Sequence, residues 1–174
     1  MKPVNNQIIP TNFILDLDGV MTDGKFHYSK LGKIYKVFGS DDNDALKILS
    51  KFIKIQFISA DKKGFKISRR RIVNDMNFPL ELVGVSERAK WISKKYGVEK
   101  SIYMGDGIFD PIVFKKVFYS IAPANALSEV RNQAKFVTKS KGGERAVAEA
   151  SLHILEKFFS LDYENVLAQI EQGS

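Results

Sequence analysis

The chain has 174 residues, with 27 Lys and Arg against 20 Asp and Glu, a net charge of +7, and 44% hydrophobic and 27% charged residues. These are ordinary globular proportions in a chain long enough for one domain, 1–174, with a sizeable core. Cysteine is absent and the histidines are two, His27 and His153, which excludes disulfide scaffolds, Cys-ligated zinc, iron–sulfur clusters, thiol catalysis and His-rich metal sites.

The opening Met-Lys-Pro-Val-Asn-Asn-Gln has no secretory apolar core, and no apolar run approaches the ~18 residues of a membrane span. The expectation is a cytoplasmic domain without a membrane partner, whose chemistry must use carboxylates, hydroxyls, lysines and backbone.

In chain order, residues 12–17 (Asn-Phe-Ile-Leu-Asp-Leu) read as a buried strand. Residues 25–38 carry Phe26, Tyr28, Ile34, Tyr35, Val37 and Phe38 around Leu31-Gly32-Lys33, which predicts a β-hairpin. A helix follows over 45–52 and a second core strand over 55–59. The segment 61–71 holds six cations (Lys62, Lys63, Lys66, Arg69, Arg70, Arg71) and one anion. It reads as an amphipathic helix with Phe65, Ile72 and Met76 inward and a solvated basic face outward.

That cluster lacks the interleaved aromatics of single-strand binders, so nucleic acid is not the expected partner; a further use for it is to concentrate an anionic substrate. A short strand over 81–83 leads to a helix capped by Ser86 and stopped at Gly97. Beyond it come a strand (101–104), a helix (108–116) confined by Pro111, a strand (118–122), a helix (126–132), a short strand (136–137) and a helix (146–159). Residues 171–174 read as a frayed tail. Alternating strands and helices predict a three-layer, Rossmann-like α/β domain with a mostly parallel sheet. The hairpin projects from it, and its apolar side chains need a burial partner, such as another subunit.

The chemistry-bearing residues stand at the predicted strand ends. Asp16-Leu17-Asp18-Gly19 closes the first strand, and in extended backbone residues i and i+2 face the same side. Two carboxylates held that close repel unless a cation lies between them. Gly105-Asp106-Gly107-Ile108-Phe109-Asp110 closes another strand, with Asp106 and Asp110 four apart on a helical start. All four are oxygen donors suited to Mg²⁺ rather than zinc. Between the pairs, Ser59 ends a strand and Lys90 lies early in a helix. Each feature alone reads as an ordinary turn, cap or surface charge; their joint order at strand ends and helix starts is what points to a site.

These residues resemble the four motifs of the haloacid dehalogenase superfamily: Asp16-Leu17-Asp18-Gly19-Val20-Met21-Thr22, Ser59, Lys90, and Gly105-Asp106 through Asp110. More narrowly, residues 16–24, the hairpin, Phe38 with Asp42, and Gly142-Gly143-Glu144-Arg145-Ala146-Val147 resemble the capless branch that contains 3-deoxy-D-manno-octulosonate 8-phosphate phosphatase. That branch also includes the phosphatase domains attached to acylneuraminate cytidylyltransferases.

The resemblance implies that Asp16 is the nucleophile and Asp18 the acid and base, with Lys90 completing the catalytic set. Ser59, Ala60 and Lys90 would bind the substrate's phosphoryl group. Mg²⁺ would be held by the Asp16 carboxylate, the Asp18 backbone carbonyl and Asp106, with Asp110 orienting that shell. It also implies a phosphorylated sugar or sugar acid as substrate and a homotetramer in which hairpins pack against neighbouring subunits.

Three positions depart from the branch. Ala60-Asp61 stands where Gly-Arg is usual, Gly107 replaces a second aspartate, and Asn43 replaces a glycine. The first loses a cation for an acidic sugar, a role left to Lys62, Lys63 or Lys66. An alternative is a non-catalytic tetramerisation module of a cytidylyltransferase system.

Overall fold

Phe13-Ile14-Leu15 offers solvent no polar side chain, and the computed structural model, which describes residues 8–172, buries the run from both faces. This strand, β1 (Asn12–Leu15), is one of two central strands in a six-stranded sheet. The others are β4 (Lys54–Ser59), β5 (Leu80–Leu82), β6 (Ser101–Met104), β7 (Tyr119–Ala122) and β8 (Phe136–Val137), in the order β5-β4-β1-β6-β7-β8. Every pairing is parallel, and such sheets are covered on both faces.

Strand periodicity sorts the side chains. Phe13, Leu15, Phe57, Ile102, Met104 and Ile121 enter one core, while Ile14, Ile58, Tyr103 and Ala122 enter the other. The first core is closed mainly by α1 (Asp41–Leu49) and α6 (Ala146–Phe159), through Leu46, Leu49, Ile154 and Leu155. Ile72 and Met76 add to it from the segment that begins as α2 (Phe65–Arg69) and continues as a π-helical stretch, Arg70–Asp75. The second core is closed by α3 (Arg88–Tyr96), α4 (Pro111–Phe114) and α5 (Ser128–Arg131), through Ala89, Ile92, Val113, Phe114 and Val130. The expected three-layer α/β architecture with a parallel sheet is therefore what forms.

The hairpin is a separate antiparallel pair, β2 (His27–Ser29) and β3 (Gly32–Tyr35), tied back by a Thr22–Phe38 bridge. Tyr28, Leu31, Ile34 and Tyr35 are exposed, Leu31 by 92%.

Several boundaries differ from the sequence expectation. β1 ends at Leu15 rather than residue 17, because the Leu17 carbonyl accepts from the N–H groups of Val20, Met21 and Thr22 and turns the chain. α3 starts at Arg88 and Ser86 makes no cap; Glu87 precedes the helix without a side-chain capping bond. Gly97 does end it, at φ +74°, a conformation that favours glycine. A helix absent from the sequence reading, α7 (Tyr163–Gln172), places Val166 on the first core. Glu171 and Gln172 thus end a helix, while residues 173–174 and the opening heptapeptide lie outside the described residues. Among the described residues no helix is long and apolar enough to cross a membrane.

Leu46 is fully buried at the contact of α1 with α6. Leu46→Ala is expected to lower the unfolding free energy by about 2–5 kcal/mol in urea titrations.

Candidate active site

Leu15 lies opposite Phe57 on one side and Met104 on the other. The residues that finish the three strands, Asp16, Ser59 and Gly105-Asp106, therefore emerge side by side at the carboxyl edge of the sheet, where open parallel sheets bind ligands. The Asp16 N–H donates to the Met104 carbonyl at 2.9 Å and continues the ladder one step past β1.

Asp16, Asp106 and Asp110 each bring a carboxylate oxygen within 4.8 Å of the others. One cation answers them. Arg88 Nη1, from the first turn of α3, lies 2.7 Å from Asp16 Oδ2 and 2.7 Å from Asp110 Oδ1, and donates to the Tyr103 hydroxyl at 3.0 Å. The Tyr103 hydroxyl donates to Asp110 Oδ1 at 2.8 Å, and the Gly107 N–H donates to Asp110 Oδ2 at 2.8 Å. Asp16 Oδ1 accepts from the Leu17 N–H at 2.8 Å.

Burial pushes the Asp16 carboxyl up to about 7: Arg88 opposes the rise and the Asp110 charge adds to it. Burial pushes Asp106 up to about 8, with the Asp16 and Asp110 charges adding. Three carboxylates and one guanidinium leave a deficit of two positive charges (3 − 1), and the donors are all hard oxygens. The residues therefore fit a divalent cation held chiefly by Asp16 and Asp106, while Asp110 is occupied in fixing Arg88 and the loop. The turn packs tightly around this cluster. Gly19 has φ +84°, and a Cβ there would fall 1.9 Å from Asp106 Oδ2. Asn125 bridges to the Gly142 loop, donating to the Gly19 carbonyl at 2.9 Å and accepting from the Gly142 N–H at 2.6 Å.

Asp18 does not share this cluster. Since the chain turns at Leu17, the i, i+2 rule lapses, and the Asp18 carboxylate turns to Lys36 of the hairpin. Lys36 Nζ lies 2.7 Å from Asp18 Oδ1 and 3.0 Å from Oδ2. Ser59 is fully buried at the end of β4, its Oγ accepting from the Asp61 N–H at 3.1 Å, and Ala60 is half-buried beside it.

Lys90 is not brought to the site. Two residues on a helix are about 200° apart, so while Arg88 points into the carboxylates, Lys90 is exposed and lines a surface groove with Ser93, Lys94 and Lys116. Arg88, and not the expected Lys90, is the α3 cation that reaches the carboxylates, and only the docking of the helix selects between them. Lys36 and Asn125 were also missed, since neither belongs to a motif with fixed spacing. Lys62, Lys63 and Lys66 are exposed after Asp61, and Asp61 itself turns inward to Lys33 and Lys36.

No protein-family model matches the chain. It is 34% identical over 148 residues to a 3-deoxy-D-manno-octulosonate 8-phosphate phosphatase of Haemophilus influenzae, covering 82% of this chain and 81% of that protein. It is 30% identical over 146 residues to the corresponding phosphatase of Salmonella typhi, with coverage of 78% and 74%. Among solved structures, the cobalt-bound Haemophilus influenzae phosphatase superposes with a TM-score of 0.76 at 30% identity, over 84% of this chain and 88% of that one. The Moraxella catarrhalis 3-deoxy-D-manno-octulosonate 8-phosphate phosphatase, in complex with magnesium, phosphate and a KDO molecule, shares the fold with a TM-score of 0.75 at 22% identity, over 95% and 94%.

The raised carboxyls set a pH dependence. A folded-state value above the unfolded 3.8 means the folded chain holds more protons, so stability falls as pH rises from about 4 through about 8. Metal-free protein is expected to melt at a lower temperature at about pH 8.5 than at about pH 6. Because a bound cation replaces those protons, added Mg²⁺ should raise the melting temperature more at the higher pH. A flat or rising melting temperature across that window in EDTA would contradict the assignment.

Proposed function

The chain belongs to the 3-deoxy-D-manno-octulosonate 8-phosphate phosphatase family of haloacid dehalogenase-like hydrolases and is a phosphatase, and we propose that it hydrolyses a phosphorylated sugar or sugar acid through an aspartyl-phosphate on Asp16. The observation that carries the proposal is the Asp16–Asp106–Asp110 cluster at the carboxyl edge of the sheet, with Arg88 bridging Asp16 and Asp110.

Phosphoryl transfer asks a protein chiefly for positioning and for positive charge around the equatorial oxygens. Arg88 orients the Asp16 carboxylate and, with the Ser59 hydroxyl and the backbone at Ala60, meets those oxygens. Asp16 forms a bond to phosphorus as the phosphorus–oxygen bond of the ester breaks; its electron pair goes to the departing sugar oxygen, which takes a proton from Asp18. In the second half, Asp18 takes a proton from water as the water oxygen attacks phosphorus. The bond to Asp16 then breaks, and Asp16 keeps the pair. Asp16, Asp106 and the Asp18 backbone carbonyl would hold Mg²⁺, with Asp110 orienting them, and a bound Mg²⁺ supplies the charge that lets a carboxylate approach an anionic phosphoryl group.

The leading substrate is 3-deoxy-D-manno-octulosonate 8-phosphate, supported by the relatives' activity. We take residues 1–174 as one capless domain acting in the cytoplasm as a homotetramer. The exposed apolar hairpin supports that assembly. It is also what favours the second reading, a tetramerisation module without catalysis, against which the charged and buried cluster stands.

Steady-state phosphate release on this substrate, with Mg²⁺ and with EDTA, is the deciding assay. Asp16→Asn is expected to lose at least ~10³-fold in kcat, and Arg88→Ala at least ~10²-fold. Lys90→Ala should stay within about twofold of wild type. An active Asp16→Asn protein would sink the mechanism, and a Lys90→Ala loss as large as that of Arg88→Ala would sink the assignment of the cation. For the assembly, Leu31→Asp at the hairpin tip is expected to shift the mass measured by light scattering from tetramer toward smaller species.

A further inference from the structure

Lys36 is a lysine with almost no access to water: it is 7% exposed overall, and its side chain is fully buried. An ammonium has three N–H donors, and here they meet three partners. Nζ donates to Asp18 Oδ2 at 3.0 Å and to Ser68 Oγ at 2.8 Å, and lies 2.9 Å from Asp61 Oδ2. Lys33, three residues earlier on the hairpin, lies 2.5 Å from the same Asp61 oxygen and sits over the Phe26 ring at 3.3 Å. Two ammoniums thus face two carboxylates in a balanced cluster. Burial opposes the Asp61 charge, but the hydrogen bonds from Lys33 and Lys36 hold its carboxyl down to about 2, so it stays anionic throughout the working range.

Lys33 already ties the hairpin to Asp61. Lys36 reaches past Asp61 to Asp18, the one carboxylate of the Asp-Leu-Asp motif that the metal cluster leaves out. We propose that Lys36 is a positioning residue that holds the Asp18 side chain at the leaving-group side of the site. The inference rests on the acid and base role proposed above for Asp18.

Its physical basis is repulsion. Asp18 stands close in sequence to the Asp16 cluster and must work beside an anionic phosphoryl group, so without a fixed cation its carboxylate is driven toward solvent. The Ser68 and Asp61 contacts fix the ammonium, and the ammonium fixes Asp18. Lys36 belongs to the hairpin, so the same contact makes the seating of that hairpin a condition for a correctly aimed acid.

The test compares two leaving groups on the intact protein with Mg²⁺. A sugar alkoxide needs a proton to depart and a nitrophenolate does not, and kcat/KM reports events up to the first departure. Lys36→Met is expected to lower kcat/KM by about 10²-fold with 3-deoxy-D-manno-octulosonate 8-phosphate but less than about threefold with p-nitrophenyl phosphate. Lys36→Arg should recover most of the loss. Should Lys36→Met fail to fold, Ser68→Ala removes one of the three anchors without touching Asp18 and should give a weaker loss with the same leaving-group bias.

Equal losses on both esters, or none on either, with Asp16→Asn inactive would overturn the role of Lys36 and leave the phosphatase mechanism standing. Wild-type activity in Asp16→Asn would remove the mechanism and this inference with it.

Discussion

The carboxyl edge of this sheet is organised around one electrostatic problem: three carboxylates within 4.8 Å, two buried and one half-buried, with the Arg88 guanidinium among them. Left alone, such a cluster binds protons, which is what the raised carboxyls of Asp16 and Asp106 express. The neighbouring residues follow from that constraint. Tyr103 and Arg88 supply directed donors, and the Gly107 N–H completes Asp110. Gly19 has to be glycine because Asp106 fills the space where a side chain would begin. Buried charge of this kind is a poor source of stability. Its persistence beside a parallel sheet is better understood as readiness for an ion and an anionic ligand.

Asp16 and Asp18 are two residues apart and have opposite surroundings. Asp16 is enclosed with other acids and one shared arginine, while Asp18 meets the Lys36 ammonium, which it shares with Asp61. Two carboxylates placed in unlike environments can take different parts in one reaction, and that separation is produced by a turn rather than by a strand. The Leu17 carbonyl, collecting three N–H groups, ends the extended geometry that would have aimed both acids at one point.

The hairpin joins the two scales of the molecule. Outward it shows Tyr28, Leu31, Ile34 and Tyr35 to solvent, and inward it delivers Lys33 and Lys36 to Asp61 and Asp18. Asp61 occupies a place where the resemblance led to an arginine. Its charge is spent on those lysines and is not presented to a ligand. Any cation for an acidic sugar must then come from elsewhere, and Lys62, Lys63 and Lys66 stand exposed nearby.

The sequence alone determined the layer architecture, the parallel sheet, the hairpin, and the placing of Asp16, Ser59 and Asp106 at strand ends and of Asp110 at a helix start. Those features depend on local periodicity and on where apolar runs stop, which are properties of neighbours along the chain. The tertiary structure decided which cation enters the site, because Arg88 and Lys90 share one short helix and only its docking angle selects between them. It also decided that Asp18 turns to Lys36, 18 residues away on a separate hairpin, and that Asn125 reaches Gly19 across 106 residues of chain and ties it to Gly142. Long-range pairings of this kind leave no period in the sequence. Charge balance and burial select them, and both come into being only when the elements pack.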